Sequence, residues 1–366
     1  MSSSRGASGK TISFIAFHDQ KVILVSRMDG NRGPLSVARA VNSRLAAEHD
    51  CELVEAASAR DILKQFTKIA TTVHDCSICI HANGYRVPMA LMAVSRLNPS
   101  NRYYCVIHGI AAIEREYRPV AELDLKLEPK VVRGFPNIIC VSDFEREKLA
   151  EVYGRRNNVT VIGNGVNLPA GSYTPRVRCS NPPVFITTGG FEQCKATDLA
   201  LLVLTRVAKR YPRPKLIVCG RDTEAVGSNR ALCEQIAREG GVDLVYEGEV
   251  IDKTRLRNLY ASADFYIGLS RFDTFNVSVL EGAAAGCVPV VSNHCGASEL
   301  FDKHDAVKVD IDDNYGIDFA EEIICDLILN QNRFMSFSAG AIEVAKRNEW
   351  DDVANRYWKV LSNGRI

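Results

Sequence analysis

The stretch from Leu269 to Leu300, LSRFDTFNVSVLEGAAAGCVPVVSNHCGASEL, constrains the fold of this chain more than any other. An apolar run, Phe265 to Leu269, leads into a polar loop that carries Asp273. A helical segment of small residues follows, with Glu281 near its start and Ala283, Ala284 and Ala285 letting it lie close on a sheet. Gly286 and Pro289 then close it into a second apolar run, Val288 to Ser292. Strand, loop, helix and strand in such quick succession make a parallel βαβ unit. Its loop stands at the carboxyl edge of the sheet, where open α/β folds bind ligands. Asp273 and Glu281, with seven residues between them, can both face the crevice above that edge.

The same alternation runs through the chain. Ile12 to Phe17 and Val22 to Val25 are two apolar runs, either of which can be the first strand. Leu35 to Ala47 reads as a helix behind the loop ending in Gly33-Pro34, a good helix start and a suitable place for an anion. Strands follow at Glu52 to Ala56, Ser77 to His81, Tyr103 to His108 and Asn137 to Ser142, with helices between them and a helix from a cap at Asp143 to Tyr153. Residues 169–183, rich in Pro, Gly and Ser, read as a linker. Beyond them strands recur at Val184 to Thr188, Lys215 to Cys219 and Leu244 to Tyr246. The expected organisation is a disordered tail (1–10), a first α/β domain (11–168), the linker, a second α/β domain (184–340) and C-terminal helices (341–366). Both domains are expected to be doubly wound parallel sheets.

Composition excludes several classes. The 366 residues exceed one ordinary domain, and 46% hydrophobic with 24% charged content is that of a globular protein. No apolar run reaches the roughly 18 residues that span a bilayer, and the first ten residues lack the apolar core of a signal peptide. Twelve cysteines are scattered through strand-like runs, as free thiols are used in a reducing cytosol. Cys76-x-x-Cys79 has no second pair and reads as structural. Residues 1–170 carry 22 Lys and Arg against 17 Asp and Glu, so the first half is basic in an otherwise balanced chain. Ordinary surface variation explains that asymmetry, and a peripheral membrane or acceptor-facing surface is the alternative. GxGxxG is absent, which disfavours a dinucleotide oxidoreductase, and nothing points to nucleic acid.

The Asp273-x7-Glu281 spacing resembles the Glu-x7-Glu signature of retaining glycosyltransferases of the GT-B fold, especially family 4, with aspartate in place of the first glutamate. The run IICVSDFEREKLAEVYGRRNNVTVIGNGVN, from Ile138 to Asn167, looks like the end of a GT-B first domain. His108-Gly109 at a strand end matches a His-Gly that such enzymes often carry beside the donor sugar. The resemblance implies two Rossmann-like domains facing a cleft, with a C-terminal helix, Val353 to Leu361, crossing back to the first domain. It implies transfer of a hexose-type sugar from a UDP or GDP sugar to a glycan, glycolipid or other hydroxyl acceptor, in the cytoplasm, with retention and with no metal or other cofactor.

Such a transfer must stabilise the leaving diphosphate, grip the ribose and orient the sugar. The resemblance assigns the diphosphate to Lys195 and the 29–33 loop with Gly33. It assigns the ribose to Glu281 and the sugar to Asp273 and His108, with the backbone of Thr274, Phe275, Asn276 and Val277 nearby. Gly220, Arg221, Gly248 and Val250 are expected along the edge that binds the nucleoside. The family pattern Arg-x4-Lys-Gly is incomplete: Gly190 and Ala196 replace its arginine and glycine, and Arg271, Arg27 or Arg32 is a candidate to compensate. Asn276 also replaces a family glycine. Asp310-Ile311-Asp312 is the only D-x-D and reads as a solvated loop. An inverting transferase with His108 as base, a nucleotide-sugar epimerase and a donor-binding member without activity remain open.

Overall fold

The computed structural model describes residues 12–16, 22–27, 33–49, 52–56, 59–82, 84–168, 174–222, 228–313 and 315–362. The expected tail, Arg32 and the rest of the loop before Gly33, and the start of the linker lie outside them. Seven strands form the first sheet: β1 (Ile12–Ala16), β2 (Val22–Arg27), β3 (Glu52–Ala56), β4 (Ser77–His81), β5 (Arg102–Val106), β6 (Asn137–Cys140) and β7 (Val159–Val161), in the order β3-β1-β2-β4-β5-β6-β7. Six form the second: β8 (Val184–Thr188), β9 (Lys215–Cys219), β10 (Asp243–Gly248), β11 (Phe265–Gly268), β12 (Val288–Ser292) and β13 (Val307–Val309), in the order β10-β9-β8-β11-β12-β13.

The second sheet is parallel throughout. The first is parallel from β2 to β7, but β1 runs antiparallel to both β2 and β3. Both candidate first strands are therefore strands. The link from Ala16 to Val22 is too short for a parallel crossover, which needs about a dozen residues. Helices cover both faces, so the central strands are apolar runs buried along their whole length, as in Ser77–His81 and Val288–Ser292.

The helix Asp143–Tyr153 is capped one residue earlier than expected. Ser142 Oγ accepts from Glu145 N at 2.9 Å, and the same hydroxyl donates to the Thr274 carbonyl of the second domain at 2.7 Å. Glu299 of the second domain accepts from the amide of Asp143, at 2.9 Å, and from that of Phe144. The two domains are thus stitched through the first turn of one helix.

The helix Gln331–Lys346 packs on the helix Val277–Ala284 of the second domain. Residues 341–346, expected to return to the first domain, belong to it, and the crossing starts beyond them. There Val166 N donates to Asn348 O at 2.9 Å. The helix Trp350–Leu361 then lies along Gly33–Glu48, with the Trp358 ring stacked 3.8 Å from that of His49. Sequence reading also missed the helices Glu122–Gly134 and Gly316–Leu329.

Candidate active site

The carboxyl edges of the two sheets face a cavity of about 450 Å³, within the range of small-molecule sites. Lys195, Asp273, Glu281 and the segment Thr274-Phe275-Asn276-Val277 line it from the second domain. His108, Ser36 and Arg118 line it from the first.

Lys195 is the last residue of the short 3-10 turn Gln193–Lys195. Its Nζ donates to Asp273 Oδ2 at 2.5 Å, while Asp273 Oδ1 accepts from Phe275 N at 3.3 Å. Burial works against the Lys195 ammonium, but the Asp273 carboxylate more than offsets it and holds the lysine charged well above its ordinary range. One cation and one anion are therefore fixed side by side on the cavity wall.

The helix Val277–Ala284 opens into the cavity. Its N-cap, Asn276, has φ 65°, a left-handed conformation, and makes no side-chain cap. Outside glycine, asparagine is among the residues that adopt that conformation most readily. The exchange of the family glycine for Asn276 thus leaves the turn intact. Val279 N already donates to Asn276 O at 3.2 Å, and an uncapped helix start of this kind suits an anion. One turn on, Glu281 Oε2 accepts from Tyr260 OH at 3.1 Å, and Lys253 Nζ lies 4.0 Å from Oε1. Burial, with Glu281 second, raises the Tyr260 phenol well above its usual range, so it stays a donor.

His108 ends the first-domain half of the site. Its carbonyl accepts from Thr274 Oγ1 at 3.0 Å, and its Nε2 sits 3.0 Å from Nδ1 of the buried His81. Burial lowers the His108 pKa to about 3 and that of His81 well below its ordinary value, with His108 adding to the latter. One neutral ring donates and the other accepts.

The remaining expected residues lie elsewhere. Gly33 is the first residue of the helix that brings Ser36 and Val37 to the cavity. Gly220, Arg221, Gly248 and Val250 do not line it: Gly220 N donates to Gly248 O at 2.8 Å, and Arg221 is paired with Glu249 at 2.7 Å on the surface. Arg271, the candidate to compensate for the missing arginine, does not line the cavity. Its guanidinium grips both oxygens of Asp198, at 3.0 and 2.5 Å, and the Gln193 carbonyl at 2.8 Å. Asp310 and Asp312 are bound to Asn293 and His294 outside the cavity. Among the described residues no group of three or more His, Cys, Asp or Glu is arranged to hold a metal ion.

Gly190 could not carry an arginine on this backbone. Its φ is 64°, and an added Cβ would stand 2.1 Å from the Arg221 carbonyl oxygen. Sequence reading missed Arg118, Glu114 and Lys253, all of which line the cavity. No motif surrounds them; Glu114 ends the short helix Ala111–Glu114, just after the strand-end His108-Gly109, and Arg118 lies in the turn that follows it.

Comparison with known families gives two matches. The model for Glycosyltransferase Family 4 matches residues 21–169, and that for Glycosyl transferases group 1 matches residues 182–327. The chain is 26% identical over 226 residues to a GDP-mannose:cellobiosyl-diphosphopolyprenol alpha-mannosyltransferase of Xanthomonas oryzae, covering 61% of this chain and 57% of that one. It is 27% identical over 242 residues to D-inositol 3-phosphate glycosyltransferase 2 of Catenulispora acidiphila, covering 62% and 56%. The matches thus span a little over half of those relatives. In fold it resembles HepE of Anabaena, solved with UDP and glucose, at 16% identity and TM-score 0.64, covering 83% of this chain and 82% of that one. It also resembles sucrose-phosphate synthase of Thermosynechococcus elongatus, at 15% identity and TM-score 0.63, covering 82% and 77%.

Proposed function

Because this chain belongs to the group 1, family 4-like glycosyltransferases of GT-B fold, we propose that it moves a hexose-type sugar from a UDP or GDP sugar to a hydroxyl of a glycan or lipid-linked acceptor. The carrying observation is the alignment of Lys195, Asp273, the open N-terminus of Val277–Ala284 and Glu281 along one interdomain cavity. Lys195 and the helix amides neutralise the diphosphate as its charge grows, which supports a reaction without a metal. Glu281 engages the ribose diol, since a carboxylate accepts from two hydroxyls at once. Asp273 and His108 orient the sugar.

Retention is the favoured stereochemistry. A histidine with a pKa near 3, already bonded to a second ring, is a poor general base at neutral pH. The departing phosphate is then the acceptor of the hydroxyl proton. The relative named for GDP-mannose and the neighbour holding UDP support these two donors. A lipid-linked acceptor would place the basic first domain near a membrane; no described helix is long and apolar enough to cross one.

The test is release of nucleoside diphosphate from UDP and GDP sugars in the presence of EDTA, with the product anomer read by NMR. Turnover that EDTA leaves intact, giving the donor's own anomeric configuration, supports the reading. Strict dependence on added metal, or an inverted product, refutes those parts of it. Tight nucleotide binding without cleavage would favour the donor-binding, inactive alternative that Gly190 brings to mind.

A further inference from the structure

The loop that carries Lys195 lacks the second cation that a diphosphate calls for. Gly190 cannot supply it, because its backbone is pressed against Arg221, and Arg271 is held by Asp198. Lys253 stands beside Glu281, the carboxylate assigned to the ribose. Arg118 is the remaining arginine on the cavity wall among the described residues, and it comes from the first domain.

Its surroundings hold it ready. Arg118 is paired with Glu114, one helical turn earlier, and keeps 44% of its side chain exposed. The carboxylate of Glu114 rests on Gly109, where an added Cβ would stand 2.3 Å from Oε1. The segment carrying both is anchored from below. Buried Glu128 accepts from the amides of Ala111 and Ala112 at 2.8 and 2.9 Å and from Tyr85 OH at 2.6 Å. Across the cleft Arg118 faces Glu192 and Cys194, in the loop that ends at Lys195, and shares the cavity wall with them. It therefore reaches toward the phosphate-binding loop from the opposite domain.

We propose that Arg118 is the second cation for the donor diphosphate, leaving Glu114 to complete across the cleft what Lys195 begins. This rests on the nucleotide-sugar reading above. On this arrangement the first domain senses a bound diphosphate directly, and the Lys195–Arg118 pair spans the two halves of the enzyme. A nucleoside monophosphate does not present the second phosphate that this contact requires.

Calorimetric titration of the full chain with UDP, GDP, UMP and GMP tests it. Arg118→Ala is expected to weaken the diphosphate that wild type binds by about tenfold or more, the worth of a charge-assisted contact. Affinity for the matching monophosphate should stay within about twofold, since no contact to it is lost. Arg118→Lys should recover part of the loss as a point charge without the guanidinium fork. Unchanged diphosphate affinity in Arg118→Ala, or equal losses for both nucleotides, overturns the proposal while leaving the transferase reading standing. Wild type that binds neither diphosphate overturns both.

Discussion

Lys195 Nζ and Asp273 Oδ2 lie 2.5 Å apart in the wall of the interdomain cavity. The pair joins the 3-10 turn after β8 to the loop after β11, so the cation proposed for the diphosphate and the carboxylate proposed for the sugar fix one another. Lys195→Ala removes the cation and leaves Asp273 without its partner. Turnover is expected to fall about 10²-fold or more, in keeping with the loss of one preorganised charge at a developing anion. Lys195→Ala retaining wild-type turnover in a nucleotide-release assay would remove the residue from the mechanism.

Glu281 offers a more selective readout. It sits beside Lys253 and accepts from Tyr260. If it holds the ribose diol, Glu281→Ala weakens a ribonucleoside diphosphate by roughly tenfold and its 2′-deoxy counterpart much less. Tyr260→Phe removes only a supporting hydrogen bond and should have the smaller effect. Equal weakening of the ribo and deoxy nucleotides by Glu281→Ala would place the carboxylate away from the sugar.

The sequence made the second domain legible because its signals are local. Asp273 and Lys195 lie in a loop and a turn next to unmistakable apolar strands, Glu281 lies in the helix that follows, and the structure brings all three to one cavity. Arg118 and Arg271 show the limit. Both are arginines in polar loops, and nothing in their neighbours distinguishes them. Arg271 pairs with Asp198, 73 positions away, and does not line the cavity, whereas the turn after the short helix Ala111–Glu114 places Arg118 on its wall. The antiparallel β1 was equally illegible as a direction, although the shortness of its link to β2 contained the answer.

Gly190 marks where the family pattern meets this backbone. Its left-handed φ and the Arg221 carbonyl 2.1 Å from a would-be Cβ exclude any side chain without rearrangement. Gly190→Arg, which restores the family motif, is therefore expected to destabilise the fold by more than about 2 kcal/mol without tightening diphosphate binding. Urea unfolding and nucleotide titration of the variant check both halves of the statement. A stable Gly190→Arg protein with improved affinity would show that the loop repacks freely.

The His81–His108 pair makes the fold acid-sensitive in a definite direction. Both rings are held neutral, His108 down to a pKa of about 3, chiefly by burial, with Tyr357 packed near His81 and Glu114 and Asp273 sharing the His108 wall. The unfolded chain protonates its histidines near pH 6.5, so between about 3 and 6.5 it binds more protons than the folded one. Stability contributed by the neutral pair is complete above that window and is lost as pH falls through it. The slope approaches about 1.4 kcal/mol per pH unit for each histidine kept uncharged. His108→Gln keeps a donor for His81 Nδ1 but cannot titrate, so its urea midpoint should fall less steeply than wild type's between pH 7 and 5. Parallel curves for the two proteins would mean that His108 is protonated in the fold as readily as in the unfolded chain.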